Sequence, residues 1–234
     1  MNIEFCGLPG CGKSYIIHRL MPLVSSRYNV IKLCSDREKK GFVTKKILGI
    51  KRRIKIKSSS VAMEKSALDA YIQNHLIDSK SSLFYRILLE EIYEIKKIEN
   101  KCDLIFGNEG VIQSLSSLSH RSLFDAEINQ VINVINECFY ANVKTLIFNC
   151  FVDEGTNIER ILSRNRKDDR FINEDINIIS TLLSIKKYNI EYLLNRLSNV
   201  RVVMVDLKNS DIAIQTVVNI LKEYGYELHE QNLS

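Results

Sequence analysis

Residues Gly7-Leu8-Pro9-Gly10-Cys11-Gly12-Lys13-Ser14 constrain this chain more than any other stretch, because they fit G-x-x-x-x-G-K-[ST] at every fixed position. The spacing has a physical reason. Glycines let the backbone enter conformations closed to other residues and bring its N–H groups close to phosphate oxygens. A helix starting near Lys13 points the positive end of its dipole at the same anion. In such a loop the lysine ammonium reaches the β- and γ-phosphates, and the hydroxyl that follows it ligates Mg²⁺. ATP and Mg²⁺ are therefore the expected cofactors, with Gly7, Leu8, Pro9, Gly10, Cys11, Gly12, Lys13 and Ser14 as the binding residues. Cys11 is read as a small loop residue rather than a redox centre. The flanks agree with the motif: the apolar run Asn2–Cys6 precedes it as a strand, and Lys13 to about Ser25 follows it as a helix.

Strand-like and helix-like segments alternate along the rest of the chain. Asn29–Cys34, Asp103–Phe106, Val143–Phe151 and Val200–Val205 read as strands. Val61–Ser79, Leu83–Glu99, Leu123–Ala141, Thr156–Arg164, Asn173–Leu197 and Ser210–Tyr224 read as helices, with apolar residues three and four apart as in Leu68, Tyr71, Ile72 and Leu76. This alternation predicts an α/β fold with a parallel sheet covered by helices on both faces. Its crossovers should be right-handed. A length of 234 residues with only two prolines suits a single domain over 1–234. Apolar residues at 45% and charged residues at 26% are ordinary for a soluble globular chain. The N-terminus lacks the basic start and cleavage site of a secretory leader, and no apolar run is long enough to span a membrane, so the expected location is cytoplasmic. The six cysteines form no CxxC pair and the four histidines are scattered, which reads as reduced core thiols and no zinc site.

On these motifs the chain resembles the nucleoside and nucleotide kinase group of P-loop proteins. The opening Ile3-Glu4-Phe5-Cys6-Gly7-Leu8-Pro9-Gly10 is similar to small kinases related to thymidylate kinase and adenylate kinase. The likeness covers most of the chain in layout and only short motifs in residues. It implies a P-loop NTPase fold with a five-stranded sheet in the order 2-3-1-4-5 and a short arginine-bearing lid. The activity it implies is transfer of the γ-phosphoryl group of ATP to a small-molecule acceptor: a nucleotide, nucleoside, sugar or nucleotide-sugar.

Kinases of this kind need a carboxylate near the metal at the end of a buried strand. The segment Asp103-Leu104-Ile105-Phe106-Gly107-Asn108-Glu109-Gly110 supplies the candidate. The family pattern implies Asp where Asn108 stands, so this chain departs from it there. Glu109 is the candidate metal or acceptor contact, with a loop glutamate of no role as the alternative. Asp103 is read as the strand's start, and Gln113 as facing the acceptor. The resemblance also implies a general base after the second strand, which makes Asp36 the candidate; a helix cap or exposed turn acid is the alternative. Arg160, Arg164, Arg166 and Arg170 follow the fourth strand, where the resemblance places the lid, about 160–172. Each pair four apart shares a helix face. Such arginines offset the charge that develops on the transferring group; a solvated helix with surface ion pairs is the alternative.

Residues about 37–99 read as an acceptor-side insertion. Its basic part holds Lys45, Lys46, Lys51, Arg52, Arg53, Lys55 and Lys57, which carries much of the net charge of +5. That segment suits a phosphorylated acceptor, a peripheral membrane contact through 45–57, or plain solvent. Tyr71, Gln73, Asn74, Tyr85 and Arg86 are candidate acceptor contacts. Two other functions stay open. A nucleotide-binding switch without transfer lacks its Asn-Lys-x-Asp signature, which Asn149-Cys150-Phe151-Val152-Asp153 does not supply. A polynucleotide 5′-kinase is motivated by the basic clusters, but neither has the interleaved aromatics of a single-strand platform, so nucleic acid is not the favoured partner.

Overall fold

The computed structural model describes residues 1–33, 59–74, 79–107, 110–119, 123–163, 171 and 174–228. The basic segment 45–57 lies outside them. In chain order the elements are β1 (Asn2–Gly7), α1 (Lys13–Ser25), β2 (Val30–Leu33), a 3-10 turn (Ser59–Val61), α2 (Ala62–Asn74), α3 (Ser79–Ile98), β3 (Leu104–Gly107), α4 (Gly110–Leu115), α5 (Ile128–Ile135), a π turn (Asn136–Tyr140), β4 (Thr145–Phe151), α6 (Glu154–Leu162), α7 (Ile176–Leu194), β5 (Arg201–Asp206) and α8 (Ser210–Glu223). The strands form one five-stranded sheet in the order β2-β3-β1-β4-β5. All of its pairings are parallel. This is the α/β architecture and strand order expected above.

Burial on both faces explains the strand sequences. Every residue of β1 is buried, Asn2 and Glu4 included, because helices cover both faces of this central strand. Ile3 and Phe5 face one layer with α1 and α8. There Phe5 stacks between Phe106 and Phe148, with ring centroids 6.2 and 5.2 Å away. Ile105 and Ile147 face the other layer, where residues of α2 to α5 and α7 pack. Each buried Phe contributes roughly 1.5–3 kcal/mol. α2 and α3 are joined by Lys96, whose Nζ donates to Glu64 Oε1 at 2.5 Å and to the Ser60 carbonyl at 3.0 Å. Glu64 is 1% exposed and the Lys96 side chain 20%, so the acid end of this ion pair is buried and the lysine end reaches the surface.

Two local departures from the sequence reading have clear causes. The helix expected over Leu123–Ala141 begins only at Ile128. The Phe124 N–H is taken by Asn189 Oδ1 at 2.9 Å, and Asp125 Oδ1 accepts from the Glu127 N–H at 3.0 Å, so the chain turns before it coils. α4 was not legible because all of its residues are buried; a helix with no polar face leaves no periodic signal. Asp103 stands at the N-terminal rim, where its Oδ2 accepts from the Asn29 N–H at 2.8 Å. Among the described residues, no helix is long and apolar enough to cross a membrane.

Candidate active site

Parallel strands bring Gly7, Leu33, Gly107, Phe151 and Asp206 to one rim of the sheet, the rim where open α/β sheets bind ligands. The loop from Gly7 to Ser14 lies at the centre of that rim, after β1. Two glycines fix its path. Gly7 has φ 142°, and a Cβ there would stand 2.1 Å from the Cys150 carbonyl oxygen. Gly10 has φ 90°, and a Cβ would stand 2.9 Å from the Asn157 carbonyl oxygen. The loop therefore presses its backbone against β4 and α6 with no room for side chains. Gly12 begins α1, its carbonyl accepting from the Tyr15 N–H at 3.0 Å and the Ile16 N–H at 3.2 Å.

Lys13 is folded back over this loop. Its Nζ donates to the carbonyls of Gly7 and Leu8, both at 2.9 Å, and lies 3.6 Å from Cys11 Sγ. An ammonium so placed already sits among loop atoms and needs only a change of acceptor to meet a phosphate oxygen. The Cys11 side chain is buried beneath the loop. Ser14 is exposed on the first turn of α1.

Beneath the loop lies a set of buried polar anchors, of which sequence reasoning singled out Gln113 alone, and in another role. Gln113, on α4, accepts the Gly7 N–H through Oε1 at 3.1 Å; its side chain is bound to the loop rather than turned to an acceptor. The Gln113 carbonyl in turn accepts from Lys186 Nζ at 3.1 Å, and Lys186 also donates to Ser117 Oγ at 2.5 Å. Lys186 is 4% exposed, so α7 holds α4, and α4 holds the loop. Glu4, in the middle of β1, is fully buried. It accepts from Asn2 Nδ2 at 3.0 Å, the Ile112 N–H at 3.2 Å and the Tyr140 hydroxyl at 3.3 Å. Burial pushes its carboxyl up to about 7, and these donors offset only part of that rise. An acid set between Ile3 and Phe5 of a buried strand was the visible signal. Lys186 gave none, because a lysine pair on a helix reads as a solvated face.

Arg160, on α6, is the described member of the lid cluster. Its Nη1 donates to the Cys11 carbonyl at 2.9 Å, so this arginine rests on the loop. Arg160, Tyr15, Leu207 and Lys208 border a cavity of about 450 Å³ beside Gly10–Gly12. Asp153 caps α6 by accepting from the Thr156 N–H at 2.9 Å and its hydroxyl at 2.7 Å, which holds the Asp153 carboxyl below its ordinary value.

Other expected site residues are distributed differently. Asp36, Asn108, Glu109, Arg164, Arg166 and Arg170 lie outside the described residues. Tyr71 is 5% exposed and belongs to the core. The Tyr85 hydroxyl donates to Asp69 Oδ1 at 2.5 Å, an acid that also pairs with Lys65. Gln73 and Arg86 are exposed.

No protein-family model and no curated protein sequence matches the chain. Solved structures do. A deoxyadenosine kinase from M. mycoides with bound dATP matches with a TM-score of 0.55 at 17% identity, over 95% of this chain and 100% of that one. The same enzyme with the products dCMP and dCDP matches with a TM-score of 0.54 at 14% identity, over 96% and 100%. With dCTP bound the values are 0.52 and 15%, over 95% and 100%. Likeness at this level establishes a common fold, the five-stranded parallel sheet of order β2-β3-β1-β4-β5 with helices on both faces.

Proposed function

We propose that this chain is an ATP- and Mg²⁺-dependent phosphotransferase that moves the γ-phosphoryl group to a small nucleoside or nucleotide acceptor. One observation carries the reading. The Gly7–Ser14 loop closes over the C-terminal end of the central strand with Lys13 held on its carbonyls, beside a cavity of about 450 Å³ bordered by Arg160. The fold shared with a deoxyadenosine kinase supports a nucleoside-type acceptor, as do that enzyme's bound dATP and dCTP. Sugar and nucleotide-sugar acceptors remain within the same chemistry.

The residues divide the work. Backbone N–H groups of the loop and the start of α1 receive the polyphosphate. Lys13 leaves the carbonyls of Gly7 and Leu8 for the β- and γ-phosphate oxygens. The cavity takes the donor's base and ribose, with the Tyr15 ring and the apolar Leu207 side chain as contact surfaces. Ser14 presents a hydroxyl without a partner among the described residues. That donor fits Mg²⁺, which prefers oxygen ligands and shares phosphates and waters. When bound, Mg²⁺ neutralises charge on the phosphate oxygens. Glu109 is assigned to the metal's water shell or the acceptor, and Asp36 to the acceptor's hydroxyl proton. Arg160 and Arg164 stabilise the transferring group, and Arg166 and Arg170 hold the donor phosphates from the lid. The whole of 1–234 is read as one kinase domain, with 37–99 on the acceptor side and 160–172 as lid, acting in the cytoplasm where ATP is supplied.

The test is a transfer assay with labelled ATP and Mg²⁺ against nucleosides, nucleoside monophosphates, sugars and nucleotide-sugars. Label should pass to one class of acceptor and the transfer should vanish in Lys13→Ala. Transfer that survives in that variant, or no transfer to any of the four classes, removes the proposal.

A further inference from the structure

Glu4 is a carboxyl in the middle of the central strand, and no step of the phosphotransferase reading uses it. Burying such a group is unfavourable, and an apolar side chain would fill its place without that cost. The position of its oxygens gives the reason for keeping it. Oε2 stands at the first turn of α4, where it accepts from the Ile112 N–H at 3.2 Å, and the Val111 N–H is directed at the same carboxyl. Gly110 makes the room: its φ is 71°, and a Cβ there would stand 2.9 Å from Oε2.

α4 depends on a partner of this kind. The first four N–H groups of a helix find no acceptor within it. Water takes them at an exposed helix, but every residue of α4 is buried. An acid of β1 therefore caps a helix that lies 108 positions further along the chain. Oε1 is held in turn by Asn2 Nδ2 at 3.0 Å and the Tyr140 hydroxyl at 3.3 Å, so the carboxyl is fixed to β1 and to the π turn. The residue after Ile112 is Gln113, whose Oε1 accepts the Gly7 N–H at 3.1 Å. Glu4 and Gly7 both belong to β1. The path from Glu4 through Ile112 and Gln113 to Gly7 thus leaves the strand, crosses α4 and returns where the phosphate loop begins.

We propose that Glu4 is a positioning residue for nucleotide binding: from β1 it sets the place of α4, and through Gln113 that helix sets the backbone of Gly7. The inference rests on the nucleotide-binding reading of the loop. Gly7 is the residue whose carbonyl, with that of Leu8, holds Lys13. A shift of α4 therefore reaches the start of the loop and the acceptors of its ammonium together.

The experiment is calorimetric titration of the full chain with a non-hydrolysable ATP analogue and Mg²⁺, with affinity taken per folded molecule. Glu4→Met keeps the length of the side chain and removes the cap. Glu4→Gln keeps an oxygen for the Ile112 N–H, and its amide N–H can meet Asn2 Oδ1, which is buried without a partner among the described residues, once the Asn2 amide turns over. Tyr140→Phe disturbs the same buried cluster but leaves α4 its cap. Glu4→Met should weaken binding about tenfold, and Glu4→Gln should restore it to within about twofold of the wild type. Tyr140→Phe should leave it unchanged. Glu4→Met combined with Gln113→Leu should be no weaker than the more damaging of the two alone, because both cut one path. The proposal is overturned if Glu4→Met binds as the wild type does, if Tyr140→Phe weakens binding equally, or if the two losses multiply. Should Glu4→Met not fold, hydrogen exchange in the wild type decides: the ATP analogue should slow exchange of the Ile112 amide, and an unchanged rate overturns the proposal. A wild type that binds no ATP analogue removes the kinase reading as well, whereas equal binding by wild type and variants removes this inference alone.

Discussion

The loop rim and the floor beneath it use polar groups in opposite ways. On the rim, Ser14 is exposed, and Lys13 and Arg160 rest on backbone carbonyls that a ligand readily displaces. In the floor, Glu4, Gln113 and Lys186 are buried, as is Glu64 between α2 and α3, and they take their partners from other side chains and from the backbone of neighbouring elements. The lesson is that position in the hydrogen-bond network, rather than residue type, separates chemistry from scaffold. Lys13 and Lys186 are both lysines close to the loop, yet one rests on the loop's own carbonyls at the rim and the other ties α7 to α4.

That contrast breaks cleanly under substitution. The largest effect belongs to the rim. Lys13→Ala should lower transfer about a thousandfold or more, while its denaturation midpoint stays near the wild-type value; a parallel loss of stability would put Lys13 in the floor. Next comes Lys96→Met, which takes the ion-pair partner from the buried Glu64. It should cost about 3–5 kcal/mol in urea unfolding with little change in ATP-analogue affinity per folded molecule. A variant as stable as the wild type would show the Glu64–Lys96 pair to be incidental.

Glu4 gives the floor a pH signature of its own. Its carboxyl is raised from 4.5 to about 7 by burial. Below about 4.5 both folded and unfolded chains hold the proton. Between about 4.5 and 7 the folded protein keeps it and the unfolded chain has lost it, so stability falls as pH rises through that window and levels off above it. The total is on the order of 3 kcal/mol. Glu4→Gln should flatten this slope, reducing the stability difference between pH 5 and pH 8 by roughly 2–3 kcal/mol in chemical denaturation; an unaltered slope would assign the titration elsewhere. The smallest effect is Gln113→Leu, which strands the buried Gly7 N–H. A loss of about 1–3 kcal/mol is expected, accompanied by weaker ATP-analogue binding as the loop loosens. Loss of stability without any change in affinity would show that the anchor serves the core alone.

Much of the fold and the rim was readable from the chain as written. The phosphate loop depends on consecutive residues whose glycines and helix start act locally, so its eight positions announce themselves. The strands of the sheet were visible because burial on both faces demands unbroken apolar runs, as in Ile105 and Phe106. What tertiary structure decided lies in contacts between residues far apart in sequence. Gln113 meets Gly7 across 106 positions and Lys186 meets Gln113 across 73; neither pairing leaves a pattern in either segment. The wholly buried α4 carries no amphipathic period, and the unmet amide of Asn157 appears only once α6 is set against the loop. Local backbone geometry is written in neighbouring residues, whereas the partner of a buried polar group is chosen by packing, and packing is a property of the whole sheet and its two helical layers.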